Sequence, residues 1–174
     1  GFRPSTGRYP NDGMTLIYTD SPGERVGMID LADPKAPNAA GTVALDGEPT
    51  SVVVVDGKAL VGVVTSESYT EPSGHVAVVD IASKAVDGTC DLGGQPDALA
   101  LSPDKSFLAV AIENERDEDL NDGALPQLPA GKVVIVDLVG RPNRWTTRDV
   151  DLTGVADLFP EDPEPEYLDI NRYN

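Results

Sequence analysis

The sequence has one cysteine, Cys90, among 174 residues, so an intramolecular disulfide and a cysteine-built zinc site are both excluded. It has one histidine, His75, so histidine-rich zinc sites, paired-histidine haem ligation and two-histidine iron sites are excluded by counting. Positive charge is scarce: 13 Lys and Arg stand against 30 Asp and Glu, a net charge of −17. Nucleic acid and anionic membrane surfaces both need a basic footprint, so neither is an expected partner. Long apolar runs are missing. The longest, such as FLAVAI at 107–112, reach six residues, far short of the roughly 18 that span a bilayer, and membrane insertion is not expected. No stretch of ten residues or more combines i, i+3, i+4, i+7 apolar spacing with end caps, so helix should be minor. No leader with a basic start and an apolar middle precedes the first strand signals, so any export signal is expected to be removed or to lie outside this sequence.

What the chain does have is Gly (17) and Pro (15), set between apolar runs of four to six residues rich in Val, Ala, Leu and Ile. Short branched runs punctuated by Gly, Pro, Asp and Asn are the pattern of strands and turns. They recur. VGMIDL (26–31), VAVVDI (76–81) and VVIVDL (133–138) each close an apolar run with Asp, placing Asp30, Asp80 and Asp137 at spacings of 50 and 57. A second element follows each copy: DGEPTSVVVV (46–55), GGQPDALALS (93–102) and, less clearly, DPEPEYLDIN (162–171). A third follows the second: GKALVGVV (57–64) and KSFLAVAI (105–112), with NDGMTLIYT (11–19) matching PDKSFLAVA (103–111) as the tail of a preceding copy. Four strands in about fifty residues is the sequence signature of a propeller blade. The expected fold is therefore all-β, with four-stranded antiparallel blades at about 1–45, 46–91 and 92–151 and the start of a fourth at 152–174.

The repeat also explains its own polar positions. Asp56-Gly57 and Asp104-Lys105 sit where antiparallel strands reverse, and Asp and Gly tolerate the positive φ of such turns. Pro49 and Pro96 precede the innermost strand, where no ladder donor is required. Asp30, Asp80 and Asp137 end the third strand, where a carboxylate can accept backbone N–H groups of the next turn. Recurrence in every copy favours a structural role for these aspartates over a catalytic one.

With its G-x-P turn, the hairpin Ser102-Pro103-Asp104-Lys105 and the strand ending in Asp, the chain resembles the secreted bacterial propellers of the YVTN/lactonase-like group, a WD-like repeat architecture. The hairpin lacks that group's Gly, and the first full copy keeps only Asp56-Gly57-Lys58. The long segments 113–131 and 149–171 resemble secreted propeller proteins of the phytase esterase-like or alkaline-phosphatase-like kind. That resemblance implies a periplasmic or secreted location and phosphoester hydrolysis assisted by calcium, with a small anionic ligand reached through the metal. No compact catalytic motif of that family can be placed on these residues.

Three and a half copies are fewer than the 4–8 blades typical of closed propellers. The chain is therefore expected to be a fragment of a larger propeller, a partner for a second chain, or a dimer joined through open ends. Its expected partners are the remaining blades of the same protein or a second copy.

The loops between second and third strands (20–25, 65–74, 113–131) and those between blades (46–49, 91–96, about 151–165) should emerge on one face, carrying most of the carboxylates. Function on a rigid scaffold concentrates in such loops. The densest cluster is Glu113, Glu115, Asp117, Glu118, Asp119 and Asp122. Hard oxygen donors at that density suit calcium, which makes Glu113, Glu115, Asp117, Asp119 and Asp122 the candidate metal ligands. The stretch from Asp117 is not a calcium-binding helix-loop-helix motif, because its glycine falls seventh and Leu128 stands at position twelve. The competing reading is a solvated acidic loop held extended by like charges.

Among other residues, His75 reads as a surface-loop histidine. Cys90 reads as a packed thiol beside Asp91, Gly93-Gly94 as turn geometry, and Trp145 with Arg141, Arg144 and Arg148 as an exposed hairpin. The first functional reading is a binding or scaffold module whose acidic face meets a cation, a ligand or a protein, without enzymatic activity of its own. The alternative is part of a calcium-dependent phosphoesterase, with a lactonase-type hydrolase as the remaining possibility.

Overall fold

The computed structural model describes residues 13–123, 127–150 and 152. They form eleven strands: β1 (Thr15–Asp20), β2 (Arg25–Asp30), β3 (Asn38–Ala44), β4 (Glu48–Val55), β5 (Lys58–Val64), β6 (Gly74–Asp80), β7 (Ala85–Asp91), β8 (Pro96–Leu101), β9 (Phe107–Ile112), β10 (Lys132–Asp137) and β11 (Thr146–Val150). Helix is confined to short 3-10 turns at Ser21–Gly23, Leu120–Gly123 and Pro142–Arg144. The strands make three antiparallel sheets, β1-β2-β3, β4-β5-β6-β7 and β8-β9-β10-β11, here called blades 1, 2 and 3. The all-β, propeller-like expectation holds, and the described sheets do not close into a ring. The expected fourth blade and the residues before Gly13 lie outside the described residues, Leu152 excepted.

Alternation with period two, applied to strands that are apolar at every position, forces the sheets to stack. In blade 2, Ala59, Val61 and Val63 of β5 with Ala77 and Val79 of β6 pack on Ile17, Val26, Met28 and Val43 of blade 1. The alternate residues Leu60, Val76 and Val78 pack with Val53 and Cys90 on Leu99, Leu108, Val110 and Val134 of blade 3. Each valine, leucine, isoleucine or methionine side chain among them, taken from water to these junctions, stabilises by about 1.5–3 kcal/mol.

Polar groups fix how the blades meet. Ser21 Oγ in blade 1 donates to the Pro49 carbonyl of blade 2 at 2.6 Å, and Thr50 Oγ1 in blade 2 donates to the Pro96 carbonyl of blade 3 at 2.7 Å. The repeated proline therefore does more than avoid a missing donor. Pro49 is the second residue of β4 and Pro96 the first of β8, opposite Val63 and Ile112, and a register shift follows each. The shift takes the position out of the regular ladder and leaves its carbonyl to the neighbouring blade. At the opposite end Lys105 Nζ reaches Asp56 Oδ1 at 2.9 Å, and Lys84 Nζ donates to the Ala40 carbonyl, both between blades.

The hairpin expectations are met with one change of residue. Asp56 and Gly57 both take positive φ, 47° and 77°, as a two-residue reversal requires. In the longer β8–β9 turn it is Lys105 that takes positive φ, 61°. Asp104 instead accepts from Ser102 Oγ at 2.7 Å, Ser106 Oγ at 2.8 Å and Ser106 N at 3.1 Å, and the two hydroxyls hold its carboxyl below the usual carboxylate range. Of the strand-ending aspartates, Asp30 accepts from Ala32 N and Asp80 from Ser83 N. Asp137 departs from this pattern and receives Thr146 Oγ1 and Arg148. Lys58 Nζ sits between Asp80 (2.7 Å) and Asp87 (2.9 Å); its hydrogen bond, then that of Ser83, holds the Asp80 carboxyl far below its ordinary value.

Two expectations follow. Thr50→Val should lower the free energy of unfolding by about 1–3 kcal/mol, read from urea denaturation, since it leaves a carbonyl at the blade junction without its donor. Asp80 and Asp104 have folded-state values below their unfolded ones, so their contribution is present above the unfolded value and is lost as pH falls. The urea midpoint should therefore decline as pH drops below about 4, and Asp80→Asn should make that decline shallower.

Candidate functional site

One end of the stacked blades gathers the loops between second and third strands and those between blades. The contacts that hold this face run through the inter-blade turn 92–95. Gln95 is buried, and its carbonyl accepts from Glu113 N (3.0 Å) while its Oε1 accepts from Glu115 N (2.8 Å). Gln95 N donates in return to Asn114 Oδ1 at 3.3 Å, and Asn114 Nδ2 reaches the Pro129 and Ala130 carbonyls. Gly94 must be glycine here, because a Cβ would come within 2.5 Å of Ile112 Cγ2. The turn of the G-x-P repeat thus anchors both ends of the 113–131 insertion.

The outer part of the insertion stays largely exposed, as the solvated-loop reading expects, but it is folded back on itself and not extended. Gln127 Oε1 accepts from Asp117 N at 2.8 Å and its Nε2 donates to the Asp117 carbonyl at 2.8 Å. Asp117 Oδ1 accepts from Asp119 N, and the Leu120–Gly123 turn follows. The amide side chains of Gln95, Asn114 and Gln127 satisfy the backbone well enough to outweigh the repulsion of neighbouring carboxylates, which solvent screens.

The candidate metal ligands divide into two groups. Glu113 and Glu115 line a cleft of about 110 Å³ at the blade 2–blade 3 junction, together with Glu48, Thr50, Gln95 and Asp97. Asp117, Asp119 and Asp122 do not line it and belong to the folded-back part of the insertion. Glu118 lies 3.8 Å from Arg116, exposed. Among the described residues no three His, Cys, Asp or Glu side chains are placed to hold a metal ion.

Sequence reasoning missed Glu48 and Asp97. Both flank the repeated proline, Glu48 before Pro49 and Asp97 after Pro96, so the signal was present in the repeat itself: these positions stand at the strand starts beside the cleft. These four acidic residues line one small cleft beside Thr50 and Gln95, an arrangement that concentrates negative potential without coordination geometry.

His75 is a correction. It lies within β6, paired between Val63 and Asp91, and not in a surface loop. Its side chain is 13% exposed, and Nε2 stands 3.2 Å from Asp46 Oδ1 on the β3–β4 turn without hydrogen-bond alignment. Cys90, buried in β7, has its thiol pushed up by burial first and by Asp91 second, so it is a packed group and a poor nucleophile. The hairpin between β10 and β11 is exposed as expected, with Arg141, Arg144 and Arg148 all exposed, but the Trp145 side chain within it is partly buried and packs against the blade 2–blade 3 core.

Solved structures of similar fold include Kuenenia stuttgartiensis hydrazine synthase, at 18% identity and a TM-score of 0.63, matched over 86% of this chain and 42% of that one. A protein from Bacteroides fragilis NCTC 9343 assigned as a 6-phosphogluconolactonase matches at 15% identity and a TM-score of 0.53, over 85% of this chain and 42% of the other. The chain thus spans about two-fifths of the length of each, and at these identities the likeness is one of fold. No curated protein matches the sequence. The propeller part of the resemblance drawn from the repeat holds, while its phytase-like part has no counterpart in these matches. A family model covers residues 8–167 of the 174, and by that match the chain belongs to the choice-of-anchor I domain family.

Proposed function

We propose that this chain is a propeller-type binding module, cell-surface or secreted, that uses its acidic loop-bearing face to hold a positively charged group. The observation that carries the reading is the convergence of Glu48, Asp97, Glu113 and Glu115 on one cleft beside Thr50 and Gln95. Family membership supports the location. A net charge of −17 keeps anionic partners away and draws cations to this rim. A cleft with four carboxylates but no trio set for a metal suits a hydrated cation or an organic one, such as the ammonium or guanidinium of a protein partner, better than a stripped ion.

A fluorescent lysine-rich peptide should bind, measured by anisotropy, and binding should weaken as salt rises. Asp97→Asn with Glu115→Gln should cut its affinity roughly five-fold or more, since each lost pairing is worth up to about 1 kcal/mol. Unchanged affinity in that double variant would remove the cleft from the reading. Calcium tests the metal form: it should raise the melting temperature in proportion to its binding, and the same variant should abolish the rise. The alternative, phosphoester hydrolysis, requires calcium-dependent turnover of para-nitrophenyl phosphate, and the expected outcome for this chain is none.

A further inference from the structure

The acidic cleft contains one polar group that a simple cation leaves unanswered. Thr50 and Gln95 line it beside Glu48, Asp97, Glu113 and Glu115. Thr50 Oγ1 commits its proton to the Pro96 carbonyl at 2.7 Å, so toward a ligand it can only accept. Gln95 differs. Its Oε1 accepts from Glu115 N at 2.8 Å, and this fixes the carboxamide, because Nε2 cannot accept from a backbone N–H. Nε2 is therefore a donor, and it has no acceptor among the described residues. Gln95 is only 6% exposed, yet its Nε2 is not sealed from solvent as the unpaired Thr19 Oγ1, His75 Nε2 and Trp145 Nε1 are. It opens through the cleft that the residue lines.

We propose that the cleft takes the free amino terminus of a polypeptide, with the ammonium among the carboxylates and the first carbonyl on Gln95 Nε2. This rests on the reading of the face as a site for positive charge and narrows it to one class of ligand. The lining offers acceptors around a single donor, and an amino-terminal residue answers both, since its ammonium and its neutral carbonyl sit on adjacent carbons. A lysine side chain brings its charge on a methylene stem with no acceptor nearby, so it would strip Nε2 of water and leave it unpaired. A free amino acid carries its acceptor as a carboxylate, which Glu48, Asp97, Glu113 and Glu115 repel. The cleft is small, about 110 Å³, and so suits a chain end better than the middle of a segment.

The test is displacement of the fluorescent lysine-rich peptide at about pH 6, where amines and carboxylates are both charged. The competitors are glycinamide and isobutylamine, which has the same shape and charge but no carbonyl. Glycinamide should displace the probe at about five-fold lower concentration, as one added hydrogen bond of about 1 kcal/mol requires. Gln95→Glu keeps an oxygen for Glu115 N and replaces the donor with an acceptor. In that variant the preference for glycinamide should disappear, while isobutylamine displaces at least as well as before. The wild-type comparison needs no variant, so it decides the matter even where Gln95→Glu fails to fold. Equal displacement by the two amines, or a preference that survives in Gln95→Glu, overturns the proposal and leaves the cation-binding reading standing. Glucosamine displacing better than glycinamide assigns the cleft to amino sugars and overturns it too. A probe that does not bind at all removes the cation-binding reading, and the proposal with it.

Discussion

Branched aliphatic side chains occupy successive positions along the strands of blade 2, so both sides of that sheet must leave water together. A sheet apolar on one side can be completed by solvent on the other; this one cannot. Ala59, Val61 and Val63 face one neighbour and Leu60 the other. The rest of the structure depends on that double burial. It sets the sheets face to face, brings β4 beside β8, and decides that the loops between second and third strands share an end with the loops between blades.

Hydrophobic stacking alone is non-directional, and the polar contacts supply the direction. The hydroxyls of Ser21 and Thr50 reach carbonyls of Pro49 and Pro96 across successive junctions. Both carbonyls are available because the strand register shifts just after proline. Glu48 and Asp97 flank these prolines at the strand starts, and the turn before Pro96 offers Gln95 to the backbone of the insertion. The device that docks blade on blade therefore also builds the acidic cleft. The opposite end, with Lys58, Lys84 and Lys105 each tied to blade 2 or its neighbours, holds more of its carboxylates in ion pairs.

The blade pattern was legible because repetition is a property of the sequence itself: three copies of an apolar run ending in Asp admit few alternatives to stacked sheets. The turn chemistry at Asp56-Gly57 was legible for a local reason, since positive φ is demanded by the two residues between the strands. His75 was misread as a loop residue because the boundary of β6 is set by its pairing with Val63 and Asp91, which are distant in sequence. The insertion was misread as extended because the charges of 113–122 are visible in the sequence, whereas the two amides that close it, Gln127 and Gln95, are unremarkable residues until the fold brings them near Asp117 and Glu115.

By itself the sequence determined the strand periodicity, the repeat, the hairpin turns and the exclusion of an intramolecular disulfide and of metal sites built from several cysteines or histidines, since each depends on neighbours in the chain or on counting. Only the tertiary structure decided which carboxylates meet. Glu48, Asp97 and the pair Glu113 and Glu115 come from three places in the chain, and they share a cleft because sheets buried on both faces must stack and set the starts of β4 and β8 beside the end of β9. Asp117, Asp119 and Asp122, equally acidic and closer in sequence to Glu113, take no part in that cleft, because hydrogen bonds to Gln127 fold their segment back on itself.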